Sequence, residues 1–218
     1  MADPIQSFSR RKFLAGLLLG VPALFAGAPS LFAAGRLNEL SLKFLTAVIP
    51  LNRRALWAEK SAQTARLHTA ALFTRITVHH SGALVLRDTA RQSVIDDLNS
   101  VLEAHMRLRY GDIGYHFVVD YAGRVWEGRS LSYEGAHVSG ENEANLGVML
   151  LGNFEKQKPS DAQLETLNTL VGLLRAHFDI PARRVYGHRD IGETLCPGRY
   201  LYPYVVAMKS DNNGWPVA

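Results

Sequence analysis

The chain predicts an α/β fold, with a mixed central β-sheet flanked by helices in a single domain. Three observations predict it. Short runs rich in β-branched residues alternate with two long amphipathic stretches, which calls for one sheet covered by helices. A hairpin pattern occurs beside helical crossovers, so the sheet should hold both antiparallel and parallel pairs. The 218 residues are 47% hydrophobic, 20% charged and 9% aromatic, enough for one sizeable core. That composition excludes a disordered, collagen-like or polytopic membrane chain.

The first 34 residues read as an address. Ser9-Arg10-Arg11-Lys12-Phe13-Leu14 precedes a Gly- and Ala-rich run, interrupted by Pro22 and Pro29, that holds no charge until Arg36. A basic stretch before a modest apolar run is the grammar of a secretory signal. The paired arginines followed by Phe-Leu resemble a twin-arginine signal, which would engage the twin-arginine export machinery. Phe13 to Gly35 is also long enough to span a bilayer, but its prolines and glycines weaken a stable helix, so no stable membrane anchor is expected. Cleavage after Ala28 would leave Pro29 next in line, so a cut near Ala33 or Ala34 is an equal candidate. Residues 10–12 against Asp3 account for half of the net charge of +4. The remaining body is nearly balanced, which gives no electrostatic case for a nucleic-acid partner.

Residues 35–53 read as an N-terminal extension, 54–206 as the main domain and 207–218 as a C-terminal tail. Arg75-Ile76-Thr77-Val78-His79-His80 is a strand closed by Ser81-Gly82. A helix follows with Val94, Leu98, Val101, Leu102 and His105 at helical spacing, and Ser93 with Asp96 offers a capping pair at its start. Tyr115 to Tyr121 alternates, turns at Ala122-Gly123 and returns through Val125-Trp126, a hairpin placing Tyr115, Phe117, Val119 and Tyr121 on one face. Leu146 to Leu151 is apolar enough for a central strand buried on both sides. Ser160 and Gln163 form a capping box for a second helix, whose stripe of Leu164, Leu167, Val171, Leu174 and Phe178 stops before Pro181.

Eight histidines and one cysteine hold the chemistry. His68 and His177 read as surface residues, and His105 as a packed histidine on its helix stripe. His79 and His80 point to opposite faces of their strand, so one can enter a cleft while the other packs. Gly187 before His188 and Pro197-Gly198 after Cys196 set both on tight loops. Cys196, the lone cysteine, is a buried spectator, an intermolecular bridge or a metal ligand. Two histidines and a cysteine meet the count for catalytic zinc, which keeps one position open.

Seven short motifs occur in order: Val78-His79-His80-Ser81, Ile113-Gly114-Tyr115-His116-Phe117, Glu127-Gly128-Arg129, Gly135-Ala136-His137, Gly152-Asn153-Phe154, Gly187-His188-Arg189-Asp190 and Cys196-Pro197-Gly198. Together with Arg54 and Trp57 they resemble the N-acetylmuramoyl-L-alanine amidase family, which includes peptidoglycan recognition proteins and amidase-type phage lysozymes. The resemblance implies zinc (Zn2+) held by His79, His188 and Cys196, with Tyr115 assisting there. It sets Thr194 where phage members carry a catalytic lysine, as in catalytic recognition proteins, and implies a catalytic part for its hydroxyl in hydrogen-bonding substrate or a developing oxyanion. It further implies a peptidoglycan or muropeptide groove lined by Arg129, His137 and Asn142, with Arg129 gripping a stem-peptide carboxylate or serving only in a surface ion pair. Asp190 would hold the backbone or the ring of His188. The implied reaction is hydrolysis of the amide between N-acetylmuramic acid and L-alanine. The alternative is a noncatalytic peptidoglycan-binding receptor, although such members typically lack the cysteine. With the export signal, the expected location is the periplasm or cell wall.

Overall fold

The computed structural model describes residues 31–210, with backbone alone for 31–37. The Arg10-Arg11 pair and most of the apolar run therefore lie outside the described residues. The elements run α1 (Leu31–Thr46), β1 (Leu51–Asn52), β2 (Arg75–His80), α2 (Arg91–Arg107), β3 (Phe117–Val119), β4 (Val125–Glu127), β5 (Asn145–Leu150), α3 (Asp161–Phe178), β6 (Val185–Gly187) and α4 (Tyr202–Ala207).

One six-stranded sheet runs in the order β1-β4-β3-β5-β2-β6. Only β3 and β4 pair antiparallel, as the hairpin pattern requires, and the other pairings are parallel. The sheet is therefore mixed. β5 lies between β3 and β2, and all its residues are buried, which explains its continuous apolar run.

Helices cover both faces. On one, Leu42 and Leu45 of α1, the α3 stripe of Leu167, Leu170, Val171 and Leu174, and Val205 of α4 pack on Ile76, Val78, Phe117 and Val148. On the other, Val94, Leu98 and Leu102 of α2 pack on Val118, Trp126 and Met149. Fully burying such a side chain contributes about 1.5–3 kcal/mol. The stretch from Leu42 to Asn52 is thus wrapped on the domain and joined to its core, because α1 supplies buried leucines and β1 pairs with β4. Asn38 Oδ1 also accepts the Leu131 N–H at 2.9 Å. At the other end Met208 is buried and Lys209 pairs with Asp190, so the tail begins later than residue 207.

Two helix starts contrast. Ser160 and Gln163 form the expected reciprocal capping box of α3. α2 instead begins at Arg91 behind Ala90, which has no side-chain cap, and Ser93 lies inside the first turn. Asp88 takes over the upstream duty by accepting the Ala90 N–H at 2.8 Å. No helix among the described residues is long and apolar enough to cross a membrane.

Candidate active site

The site forms where β2 and β6 end side by side. Val78 is in register with Gly187, so the next residue of each strand path, His79 and His188, emerges at the same level. Their ring centroids lie 4.7 Å apart. Parallel neighbours ending together is how open α/β sheets build ligand sites beyond the carboxyl ends of their strands.

Cys196 arrives from the loop before α4. Its sulfur lies 3.6 Å from His79 Nδ1 and accepts the His80 N–H at 3.4 Å. Two backbone contacts fix the loop: Arg189 N–H donates to Cys196 O at 2.8 Å, and Tyr200 N–H to Phe154 O at 3.0 Å. Gly198 permits that approach. A Cβ there would sit 2.4 Å from the Phe154 carbonyl carbon, and its φ is +95°. Thr194 Oγ1 accepts the Cys196 N–H at 3.1 Å, so this hydroxyl shapes the cysteine loop.

One donor atom from each of His79, His188 and Cys196 lies within 4.8 Å of the others. Two imidazoles and a thiol are a donor set that tetrahedral zinc accepts, with ligand–ligand edges of about 3.5 Å, so modest contraction would close the triangle on an ion. Burial drives the His79 pKa well below its ordinary value, with His137 and His188 adding to the shift. Burial also lowers His188, more mildly. Both rings are consequently neutral near pH 7 and can ligate. Burial raises the Cys196 thiol to about 12 against smaller opposing effects of the His80 N–H and Arg189. A divalent cation would reverse that preference and bind the thiolate.

Tyr115 stands beside the donors, its ring 5.1 Å from that of His79. It belongs to the α2 side of the sheet with Val118, not to the face of Phe117 and Val119. Strand alternation fails because Gly128 and Arg129 N–H donate to the successive carbonyls of His116 and Tyr115, ahead of the regular β3–β4 pairing. Burial, then the nearby Cys196, raises the phenol's pKa, so its hydroxyl keeps its proton.

The three expected groove residues are placed differently from the expectation. Arg129 is only 3% exposed and points inward. Its Nε donates to Ile113 O, Nη1 to Glu134 O, and Nη2 to both Tyr110 O and Asp112 O, at 2.7 to 3.2 Å. Four of its five donors are thus spent on backbone carbonyls, making Arg129 a clamp and neither a carboxylate grip nor a surface ion pair. Asn142 Oδ1 accepts the N–H groups of His137 and Val138, both at 2.9 Å, and holds their loop. His137 does not sit on a rim. It is buried, with Nδ1 3.0 Å from His79 Nε2 and Nε2 3.2 Å from Asn145 O.

The remaining histidines divide as their partners dictate. His80 packs on the opposite side, with Nδ1 accepting the Phe154 N–H at 3.1 Å. His105 Nδ1 accepts the Gly114 N–H at 2.9 Å. His68 is exposed. His177 is not a free surface residue, since α1 covers it through Ser41 Oγ at 2.8 Å and a stacked Phe44. Asp190 holds the backbone at Gly187 N–H, 2.7 Å away, and also binds Tyr202 and Lys209.

The sequence profile described as N-acetylmuramoyl-L-alanine amidase matches residues 70–199, more than half of the chain. Peptidoglycan-recognition protein SD of Drosophila simulans is 30% identical over 168 residues, covering 72% of this chain and 84% of that protein. N-acetylmuramoyl-L-alanine amidase of Mus musculus is 34% identical over 128 residues, 57% of this chain but 24% of that one. Among solved structures, the ectodomain complex of peptidoglycan recognition proteins LCa and LCx bound to tracheal cytotoxin superposes with TM-score 0.63 at 31% identity, covering 70% of this chain and 92% of that chain.

Proposed function

The chain belongs to the N-acetylmuramoyl-L-alanine amidase family, and from that premise we propose that it is a zinc-dependent hydrolase of the amide joining N-acetylmuramic acid to L-alanine in peptidoglycan or muropeptides. The observation that carries the proposal is the convergence of His79, His188 and Cys196 within 4.8 Å, with Tyr115 alongside. A receptor needs no such donor set, and a buried thiol beside two neutral imidazoles has little purpose without an ion.

When bound, zinc would supply a water of lowered pKa and polarisation of the scissile carbonyl. The protein contributes position and protons. β2 and β6 fix the two histidines on the rigid end of a sheet, and the Cys196 loop is tied to them through Arg189 and His80. The protonated Tyr115 hydroxyl can donate to the oxygen on which charge develops as the carbonyl becomes tetrahedral. Thr194 Oγ1 holds that loop by accepting the Cys196 N–H, and its O–H can still donate to substrate.

We further propose that the Arg10-Arg11 segment directs export by the twin-arginine route to the periplasm or cell wall. Replacing both arginines by lysine should retain the precursor in the cytoplasm. For the enzymatic reading, the test is metal analysis of purified protein with mass spectrometry of digested sacculi. Expected are one zinc per chain, release of L-alanine-ended peptides and loss of release on chelation. Binding to sacculi without any release would establish the receptor instead.

A further inference from the structure

We propose that His137 is a positioning residue for the metal site: through a hydrogen bond to His79 Nε2 it fixes the tautomer of His79 that presents Nδ1 as the ligand. The inference rests on the zinc reading above.

Hydrogen-bond chemistry sets each proton in turn. The Asn145 carbonyl can only accept, so His137 Nε2, 3.2 Å away, carries a proton and donates it. A second proton on this ring would place an imidazolium in a buried pocket against another histidine, so Nδ1 is left as an acceptor. His79 Nε2, 3.0 Å from that nitrogen, must then be the protonated one. What remains on His79 is the Nδ1 lone pair, which faces Cys196 Sγ at 3.6 Å. The chain from strand carbonyl to ligand atom leaves one tautomer at each ring.

The His137 ring is also held sterically. A Cβ at Gly135 would lie 2.3 Å from the ring, and one at Gly147 would lie 2.5 Å from it. Two glycines therefore form a slot that only a bare backbone allows. The slot's far wall is anchored as well, since Asn145 Oδ1 accepts from Thr77 Oγ1 at 2.8 Å and Nδ2 donates to Glu141 O at 2.7 Å. With both ring nitrogens engaged, His137 has none left for a muropeptide.

The experiment uses the full chain and four proteins: the parent, His137→Phe, His137→Asn and Gly147→Ala. Phe keeps a ring in the slot and removes the acceptor. Asn restores an acceptor near the Nδ1 position, while Ala at 147 crowds the ring without changing it. Zinc affinity is read by competition with a chromophoric chelator, and the His79 tautomer by long-range proton–nitrogen NMR of zinc-loaded, histidine-labelled parent. Outer partners of ligating histidines are typically worth about 10–100-fold in metal affinity. His137→Phe should weaken zinc by that factor, Gly147→Ala in the same direction, and Asn should recover most of it. The parent's His79 should be protonated at Nε2 and ligated at Nδ1. Parental affinity in His137→Phe, or ligation through Nε2 in the parent, overturns the inference. If the Phe variant does not fold, the parent's tautomer alone decides. A parent that binds no zinc fails the functional reading and this inference together, whereas a zinc-binding, cleaving parent with an unaffected Phe variant fails only the inference.

Discussion

His79 and His116 are equally buried, at 1% and 0% exposure, and burial lowers the pKa of both. Their partners differ. His116 spends both ring nitrogens on framework, accepting the Gly147 N–H and donating to Tyr133 O, each at 3.0 Å. His79 spends one on His137 and turns the other toward Cys196. Arg129 belongs with His116, since its donors also end on backbone carbonyls. Burial and a depressed pKa therefore do not identify a chemical histidine in this protein. What sets His79 apart is a lone pair turned toward the Cys196 sulfur and not toward backbone.

The sharpest way to break the comparison is Cys196→Ser. A hydroxyl ionises too poorly near neutral pH to replace the thiolate, so zinc content and amide cleavage should both fall by more than the roughly 100-fold expected for an outer partner. Sacculus binding should persist, and cleavage at the parental rate would remove the site from consideration. Tyr115→Phe comes next, with turnover lower by about 100-fold and zinc content unchanged, as when one oxyanion donor is removed.

On the framework side the readout moves from catalysis to stability. Arg129→Met should cost about 3 kcal/mol in denaturant unfolding, because it strands four backbone carbonyls, those of Ile113 and Asp112 in fully buried contacts. KM measured on folded protein should stay near the parental value, and a large KM rise with unchanged stability would restore the carboxylate grip. His116→Phe should cost about 2–4 kcal/mol by leaving Gly147 N–H and Tyr133 O unpaired. The smallest effect is on pH dependence in metal-free protein. Folded His116 titrates at about 4 against 6.5 ordinarily, so the unfolded chain binds more protons between those values. Its contribution is intact above pH 6.5 and is lost as pH falls toward 4. The Phe variant should show a shallower decline in urea midpoint across that window, and an identical slope would show that His116 is not responsible.

What was legible in the sequence was local. β2, the buried run of β5 and the α3 capping box are written in patterns a few residues long, and the structure follows them. The grouping of His79, His188 and Cys196 was reachable through motif order, since nothing local links His79 to a sulfur 117 positions away. The side of the sheet that Tyr115 joins was not legible, because two successive hydrogen bonds from Gly128 and Arg129 shift the alternation. Arg129 looked like a grip because its exposure depends on carbonyls at 110, 112, 113 and 134. His137 followed the same rule, as its partners come from two other strands. A signal was available in Gly135 and Gly147, whose need becomes visible only once the ring between them is placed.

The edge strand β6 has a consequence for how the molecule is made. β2 borders it on one side, yet β6, His188 and Cys196 come after every other strand of the sheet in chain order. A nascent chain holding only residues up to β5 can form most of the sheet but owns one of the three donors. On the zinc reading proposed above, ion capture would require the chain through Cys196, and a chain cut before that residue would lose the centre together with the core contacts of Leu201 and Val205. Metal content would thus separate chains that reach the cysteine loop from chains that stop after β5.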